Sequence, residues 1–148
     1  MSLPTSPSSA GTPPSLPLAQ RVIIVVDDDA ALRSLTSAYL RRAGATVHHA
    51  ENGCAALSLL QHLGASGTAV HAVLCDLRMR GGSGMELYQH VCERLPALAT
   101  RMVFFSGDVD SDDVRAFVGH SGVQVLAKPY PLAELRRHLA ELPPPPLT

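Results

Sequence analysis

Carboxylates occur at two places where an apolar run of the sequence ends. Asp27, Asp28 and Asp29 follow Val22–Val26 directly, and Asp76 follows a later apolar run. Two carboxylates about 4 Å apart repel each other by roughly 4 kcal/mol at an effective dielectric near 20, so such a group needs a cation. Capping a helix requires only one of the three adjacent aspartates. Carboxylates without paired thiols or histidines favour a hard ion, Mg²⁺ or Mn²⁺.

A hydroxyl and an ammonium follow two further apolar runs. These are Ser106, which precedes Gly107, and Lys128, the only lysine of the chain. Facing a carboxylate, they would hold two oxygens of a transferred phosphoryl group, and phosphoryl transfer needs little beyond positioning and charge neutralisation. Gly107 would allow close backbone approach and offer an N–H. A capping Asp, a turn Ser and a solvated Lys are each ordinary features of a fold. The prediction of a phosphoryl-transfer site therefore depends on their occurring together, one after each apolar run.

The elements that must position these side chains alternate between strand and helix patterns. Strands are predicted at 21–26, 46–50, 70–75, 101–105 and 123–127, and helices at 30–43, 52–64, 85–94, 112–120 and 131–142. Five βα repeats predict an α/β fold, a flavodoxin-like doubly wound (βα)5 with a five-stranded parallel sheet in the order 2-1-3-4-5. The carboxyl ends of strands one, three, four and five are then neighbours, so the polar groups that follow them converge on one crevice.

Local signals predict the ends of several helices. Asp29 and Asn52 are predicted N-caps, Gly44 is predicted to end the first helix, and Pro131 is predicted at the first position of the last helix. The apolar residues predicted to face the core from the first helix are Leu32, Leu35, Tyr39 and Leu40.

Composition limits the class of protein. The 148 residues support one domain, which we predict at 21–142, between a Pro- and Ser-rich linker at 1–20 and a polyproline tail at 143–148. The net charge of −1 indicates no basic patch for direct nucleic-acid binding, and no apolar run could span a membrane. Cys54, Cys75 and Cys92 form no C-x-x-C pair, which favours reduced thiols and a cytoplasmic location.

Taken together, these motifs resemble the response-regulator receiver domain of two-component signalling, over about 21–142. The resemblance is carried by the Val-Val-Asp-Asp opening, by Asp76 three residues before Met79 and eight before Gly84, by Ser106-Gly107, and by Lys128-Pro129-Tyr130. It implies that Asp76 accepts a phosphoryl group from a phosphohistidine on a histidine kinase or a histidine phosphotransfer protein. It also implies that Asp27, Asp28, Asp76 and the backbone carbonyl of Arg78 arrange a Mg²⁺, while Ser106 and Lys128 bind the phosphoryl oxygens. The Lys–Pro bond is often cis in this family.

The sequence departs from the family pattern at the loop after Asp76 and in the fifth strand. Arg80 stands where the family usually has proline, and Val125 stands where it has its switch aromatic. With Val125, the usual inward turn of a ring behind the hydroxyl cannot operate. Arg78 and Asp108 flank the predicted phosphoryl site, and a weak, screened ion pair between them is expected.

Two other functions compete with this interpretation. A haloacid-dehalogenase-type phosphatase would use Asp27-Asp28-Asp29 as its Asp-x-Asp motif, but Ala31 stands where Thr or Val is expected and Asp76 would have no role. A receiver-like interaction module would not accept phosphate at all. We further expect a stand-alone receiver or one excised from a hybrid sensor histidine kinase, whose kinase activity would lie outside this chain. Such a domain catalyses only its own phosphorylation and dephosphorylation, and the resemblance suggests a homodimer through the face of the fourth helix, fifth strand and fifth helix.

Overall fold

Five parallel strands form a single sheet in the computed structural model, which describes residues 16–80 and 83–145. The strands are β1 (Val22–Val26), β2 (Thr46–Ala50), β3 (Ala72–Asp76), β4 (Met102–Ser106) and β5 (Gln124–Ala127). Their order is β2-β1-β3-β4-β5, which confirms the predicted 2-1-3-4-5 topology. The third strand begins at Ala72 rather than at residue 70 and includes Asp76 as its last residue.

Five helices connect and follow the strands. They are α1 (Ala30–Arg42), α2 (Gly53–Ala65), α3 (Gly84–Arg94), α4 (Asp112–Ser121) and α5 (Leu132–Glu141), and an additional helical turn covers Pro96–Ala99. The predicted caps are confirmed, because the side chain of Asp29 accepts from Leu32 N and that of Asn52 accepts from Ala55 N. The prediction for Pro131 is wrong by one position, since Pro131 has extended backbone and α5 begins at Leu132.

The sheet is covered on both faces, and each face has its own apolar core. Helices α2, α3 and α4 cover one face, and α1 and α5 cover the other. The prediction that Leu35 faces the core is wrong, because this side chain is 59% exposed while Thr36, Ser37 and Leu40 of α1 are buried. The face of α1 that meets the sheet therefore includes two hydroxyl residues, which a search for apolar spacing passes over.

Both ends of the described chain pack against the domain. Leu18 is fully buried and its backbone N–H donates to Ala43 O at 2.8 Å, although it lies within the predicted linker at 1–20. At the other end, the guanidinium of the buried Arg101 donates to the carbonyls of Pro143 at 2.7 Å and Pro144 at 2.8 Å. The packed region therefore extends beyond 21–142 on both sides, while the predicted linker residues 1–15 and tail residues 146–148 lie outside the described residues. Across the described part of the chain, no helix combines the length and apolarity needed to cross a membrane.

Candidate functional site

The parallel register brings the ends of four strands to one edge of the sheet. Val26 of β1 pairs with Cys75, the residue before Asp76, so Asp27 and Asp76 leave neighbouring strands at the same level. Asp76 pairs with Phe105 of β4, and Ser106 pairs with Ala127, the residue before Lys128. The predicted convergence of these polar groups thus follows directly from strand pairing.

Three carboxylates and one ammonium form the centre of this edge. Asp27, Asp28 and Asp76 each present an oxygen, and these oxygens lie within 4.8 Å of one another. The ammonium of Lys128 donates to Asp76 Oδ2 at 2.9 Å and to Asp27 Oδ2 at 3.4 Å. Asp27 and Asp76 are both buried, so water screens this group only partly. One ammonium among three carboxylates leaves the cluster with an excess of negative charge.

The pKa values at the centre reflect burial and this crowding. Burial raises the pKa of Asp27, and the negative charge of Asp76 adds to the rise, against the hydrogen bond from Asp29 N and the charge of Lys128. Burial lowers the pKa of Lys128, but its hydrogen bond to Asp76 and the charges of both buried aspartates outweigh this, so the net pKa is raised. Lys128 is therefore a permanent cation at neutral pH.

The turn after β1 is held by two contacts that orient Asp27. The Asp27 Oδ1 atom accepts from Asp29 N at 2.9 Å, and the guanidinium of Arg33 donates to the backbone oxygen of Asp27 at 2.7 Å. Arg33 is a site residue that no motif of the sequence indicates. The signal that could have indicated it is the N-cap Asp29, because a cap there places Arg33 one turn into α1, beside the end of β1.

The loop after β3 joins the cluster through backbone groups. The N–H of Arg78 donates to Asp76 Oδ1 at 3.2 Å, and the N–H of Arg80 donates to Asp28 Oδ2 at 3.1 Å. The contact to Arg80 lowers the pKa of Asp28, first through this backbone hydrogen bond. A proline at position 80 could not make this bond because it has no N–H, so the departure from the family pattern has a structural consequence.

Close packing places the start of α3 against the end of β3. A Cβ atom at Gly84 would lie 2.6 Å from Asp76 O and 3.0 Å from the Cα of Leu77, so only glycine fits. The N-terminus of α3 is capped by a capping box, in which Ser83 and Glu86 exchange hydrogen bonds. Gly84 therefore fixes the backbone on which the Asp76 side chain stands.

Ser106 is buried at the end of β4, and its hydroxyl accepts from Asp108 N at 3.0 Å. Its backbone oxygen accepts from Lys128 N at 2.9 Å, which ties the two residues together. Gly107 is exposed, and a Cβ atom there would meet open space. Its role as a phosphoryl-binding N–H stays a prediction.

The side chain of Arg78 crosses to the start of α4. Its guanidinium donates to both carboxylate oxygens of Asp113, at 2.8 and 3.0 Å, and to the hydroxyl of Ser111 at 3.2 Å. The predicted partner Asp108 is therefore wrong. The backbone of residue 108 is held by the hydroxyl of Ser106 and by the backbone N–H of Ser111, and the first turn of α4 presents Asp113 to Arg78 instead.

Aromatic rings lie on both sides of β4 behind the site. Tyr88, Phe104 and Phe117 meet edge to face with ring centroids 5.4, 5.5 and 5.9 Å apart. Phe104 lies on the same side of β4 as Ser106 and pairs in register with the partly buried Val125. The ring from α4 is therefore packed behind Ser106, although β5 itself contributes no aromatic residue.

On the opposite face of β4, Tyr130 stacks on Phe105 at 3.9 Å between centroids. Burial raises the pKa of Tyr130, while a hydrogen bond with Thr36 acts in the other direction. The peptide bond between Lys128 and Pro129 that leads to this ring is cis, as the resemblance implied.

The donor chemistry of the cluster fits a hard divalent cation. Three carboxylate oxygens lie close enough together to share one ion, and they are compensated only in part by the half-buried ammonium of Lys128 and by the exposed guanidinium of Arg80, 3.5 Å from Asp28. Mg²⁺ is usually bound by one or two carboxylates together with phosphate oxygens, and it keeps several waters. Asp27, Asp28 and Asp76 are the residues that would hold it.

Comparison with known proteins assigns the family. Residues 23–140 match the response regulator receiver domain family, and the chain belongs to this family. It is 30% identical over 136 residues to the sensor histidine kinase AruS of Pseudomonas aeruginosa, covering 90% of this chain but only 13% of that protein. A receiver protein structure from Pseudomonas putida is 29% identical, with a TM-score of 0.68, and the match covers 82% of this chain and 95% of that one. The response regulator TrrA of Thermotoga maritima, solved in complex with Mg²⁺ and BeF, is 22% identical with a TM-score of 0.68, covering 84% of this chain and all of that one (100%).

Proposed function

We propose that this chain is the phosphoacceptor of a two-component phosphorelay, and that Asp76 takes a phosphoryl group from a phosphohistidine donor. The observation that carries the proposal is the contact of Lys128 with Asp76 within a cluster of three carboxylates at the switch point of the sheet. Open α/β sheets bind their ligands at this edge. The donor would be a histidine kinase or a histidine phosphotransfer protein, and a cytoplasmic location fits such a partner.

The chemistry needs one nucleophilic oxygen and several cations. A carboxylate oxygen of Asp76 would attack phosphorus while the N–P bond of the phosphohistidine breaks and the imidazole nitrogen takes up a proton. Lys128 is poised to bind a phosphoryl oxygen, because its ammonium already lies 2.9 Å from Asp76. A bound Mg²⁺ would supply charge neutralisation at the phosphoryl oxygens.

The family assignment decides against the haloacid-dehalogenase-type phosphatase. In such an enzyme the nucleophile would lie in the run after β1, and Asp76, which Lys128 contacts more closely than it contacts Asp27, would have no role. The receiver-like interaction module remains to be separated from a phosphoacceptor by experiment. A homodimer through α4, β5 and α5 and an origin in a hybrid kinase are further proposals, the latter supported by the resemblance to AruS over one part of its length.

Labelling with acetyl phosphate tests the proposal. The wild-type chain should gain one phosphoryl group in the presence of Mg²⁺, and Asp76→Asn should gain none. Asp28→Ala should lower the affinity for Mg²⁺ sharply, as measured by calorimetry, because it removes one of three carboxylate ligands. A phosphoryl group on Asp76→Asn equal to that on the wild type would overturn the assignment of the acceptor, and an unchanged Mg²⁺ affinity in Asp28→Ala would overturn that of the metal ligand.

A further inference from the structure

The first turn of α4 is attached through one side chain to residues 77–80 after Asp76, called here the acceptor loop. The guanidinium of Arg78 binds both carboxylate oxygens of Asp113 and the hydroxyl of Ser111, while the backbone N–H of the same residue binds Asp76. Arg78 thus contacts the proposed phosphoacceptor with its main chain and α4 with its side chain. We propose that Arg78 is a coupling residue that exchanges Asp113 for the phosphoryl group when Asp76 is phosphorylated, and thereby releases the start of α4. This inference rests on the proposed function.

Helix α4 depends on this attachment because its packing is slight. Val114 is its only buried residue, and Val118 is 37% exposed. Phe117 is partly buried against the rings of Tyr88 and Phe104. Ser111 precedes the helix without capping it, and its hydroxyl instead donates to Asp113 Oδ1 at 2.7 Å. The network of Arg78, Ser111 and Asp113 therefore takes the place of an ordinary N-terminal cap.

The contact is of a kind that a stronger anion would displace. The side chains of Arg78 and Asp113 are 55% and 54% exposed, and exposed ion pairs are individually weak. Phosphorylation adds negative charge and acceptor oxygens two residues before Arg78, and the guanidinium fork matches phosphate geometry. Lys128 cannot play this part, since both its anionic partners belong to the site itself.

Thermodynamic linkage gives the exchange a measurable signature. If the phosphoryl group and Asp113 compete for one guanidinium, removing Asp113 must tighten binding at the site by the same factor by which binding loosens α4. The test uses Mg²⁺ with beryllofluoride as the phosphoryl analogue, measured by calorimetry on the full chain. Asp113→Asn should bind it roughly two- to fivefold more tightly than the wild type, a factor set by the strength of an exposed ion pair. In Arg78→Gln, adding Asp113→Asn should change nothing.

Hydrogen exchange of residues 111–117 supplies the second measurement. Beryllofluoride should speed exchange there roughly two- to fivefold in the wild type. Asp113→Asn should show this faster exchange before any addition. A matched control is Asp110→Asn, which breaks the 4.0 Å pair of Asp110 with Arg115 beside the same helix without touching the acceptor loop, and it should behave as the wild type.

The outcomes separate the two proposals. The exchange would be overturned if Asp113→Asn still tightened beryllofluoride binding in the Arg78→Gln background. It would also be overturned if Asp113→Asn and Asp110→Asn had equal beryllofluoride affinities and equal hydrogen exchange in α4. Either result would leave the proposed function intact. Saturating beryllofluoride that leaves α4 exchange unchanged would do the same. A wild-type chain that binds no beryllofluoride and takes no phosphoryl group would overturn the proposed function, and the exchange with it.

Discussion

Asp27→Asn is expected to stabilise the metal-free protein while it abolishes the site's affinity for Mg²⁺. Oxygens of Asp28 and Asp76 lie within 4.8 Å of one from Asp27, so each repels it by roughly 3.5 kcal/mol at an effective dielectric near 20. Lys128 at 3.4 Å attracts it by roughly 5 kcal/mol on the same basis. The balance is about 2 kcal/mol against the charged side chain, before the cost of burial is added.

Partial exposure and the contact of Arg80 with Asp28 reduce this figure, so we expect Asp27→Asn to raise the free energy of unfolding by about 1–2 kcal/mol. The variant keeps an oxygen that accepts from Asp29 N, so the turn after β1 is preserved. The assay is urea unfolding in EDTA. The order should reverse when Mg²⁺ is present at about a hundredfold its dissociation constant, since this excess stabilises the wild type alone by about 2.7 kcal/mol.

Asp29→Asn is the matched control for this experiment. Asp29 caps α1 through Leu32 N, and asparagine caps a helix about as well, so its stability should change little with or without Mg²⁺. An Asp27→Asn variant that is less stable than the wild type in EDTA would contradict this expectation. It would mean that Lys128 compensates the cluster fully and that the site holds no excess negative charge.

Three further predictions concern the framework around the site. The pKa of His71 is lowered by burial and by the charges of Arg21 and Arg101, and its neutral Nδ1 accepts from Val22 N at 3.0 Å. Its contribution to stability should therefore be full above about pH 6.5 and decline as the pH falls. Urea midpoints should show this decline in the wild type and lack it in His71→Asn. Gly84→Ala should lower the free energy of unfolding by about 1–3 kcal/mol because its Cβ would overlap Asp76 O. The control Gly64→Ala, at an open helical position, should not be destabilising. Equal denaturation midpoints for the two variants would contradict this prediction. Truncation after residue 142 should cost about 1–3 kcal/mol, since it leaves the buried guanidinium of Arg101 without two of its carbonyl partners, and an unchanged thermal midpoint would count against that role.

Much of the fold and the composition of the site could be predicted from local sequence. β-branched runs, the capping residues Asp29 and Asn52, and short connections determine five βα units, and chirality then leaves few topologies. Because parallel strand ends meet at one edge, the residue after each strand is a candidate for the site without knowledge of any distance. The grouping of Asp27 and Asp76 with Lys128 follows from that rule, and Asp28 joins the group as the neighbour of Asp27.

The parts that could not be predicted depend on contacts between distant residues with no local pattern. Leu18 lies in a segment of linker composition, yet the backbone turn at Gly44, with φ of 104°, lets it pack beside α1. Arg78 could reach several acidic residues near the start of α4, and only the path of the chain after Ser106 selects Asp113 over Asp108. Long, charged side chains at loop positions are the least determined by sequence spacing.

Mapping the phosphoryl group after acetyl phosphate treatment is the decisive experiment for Asp76 as the phosphoacceptor. The wild-type chain would be treated with and without Mg²⁺, digested, and examined by mass spectrometry for an acyl phosphate. We expect a single Mg²⁺-dependent phosphoryl group on the peptide that contains Asp76. A phosphoryl group on Asp27 or Asp28, or none on any residue, would contradict it.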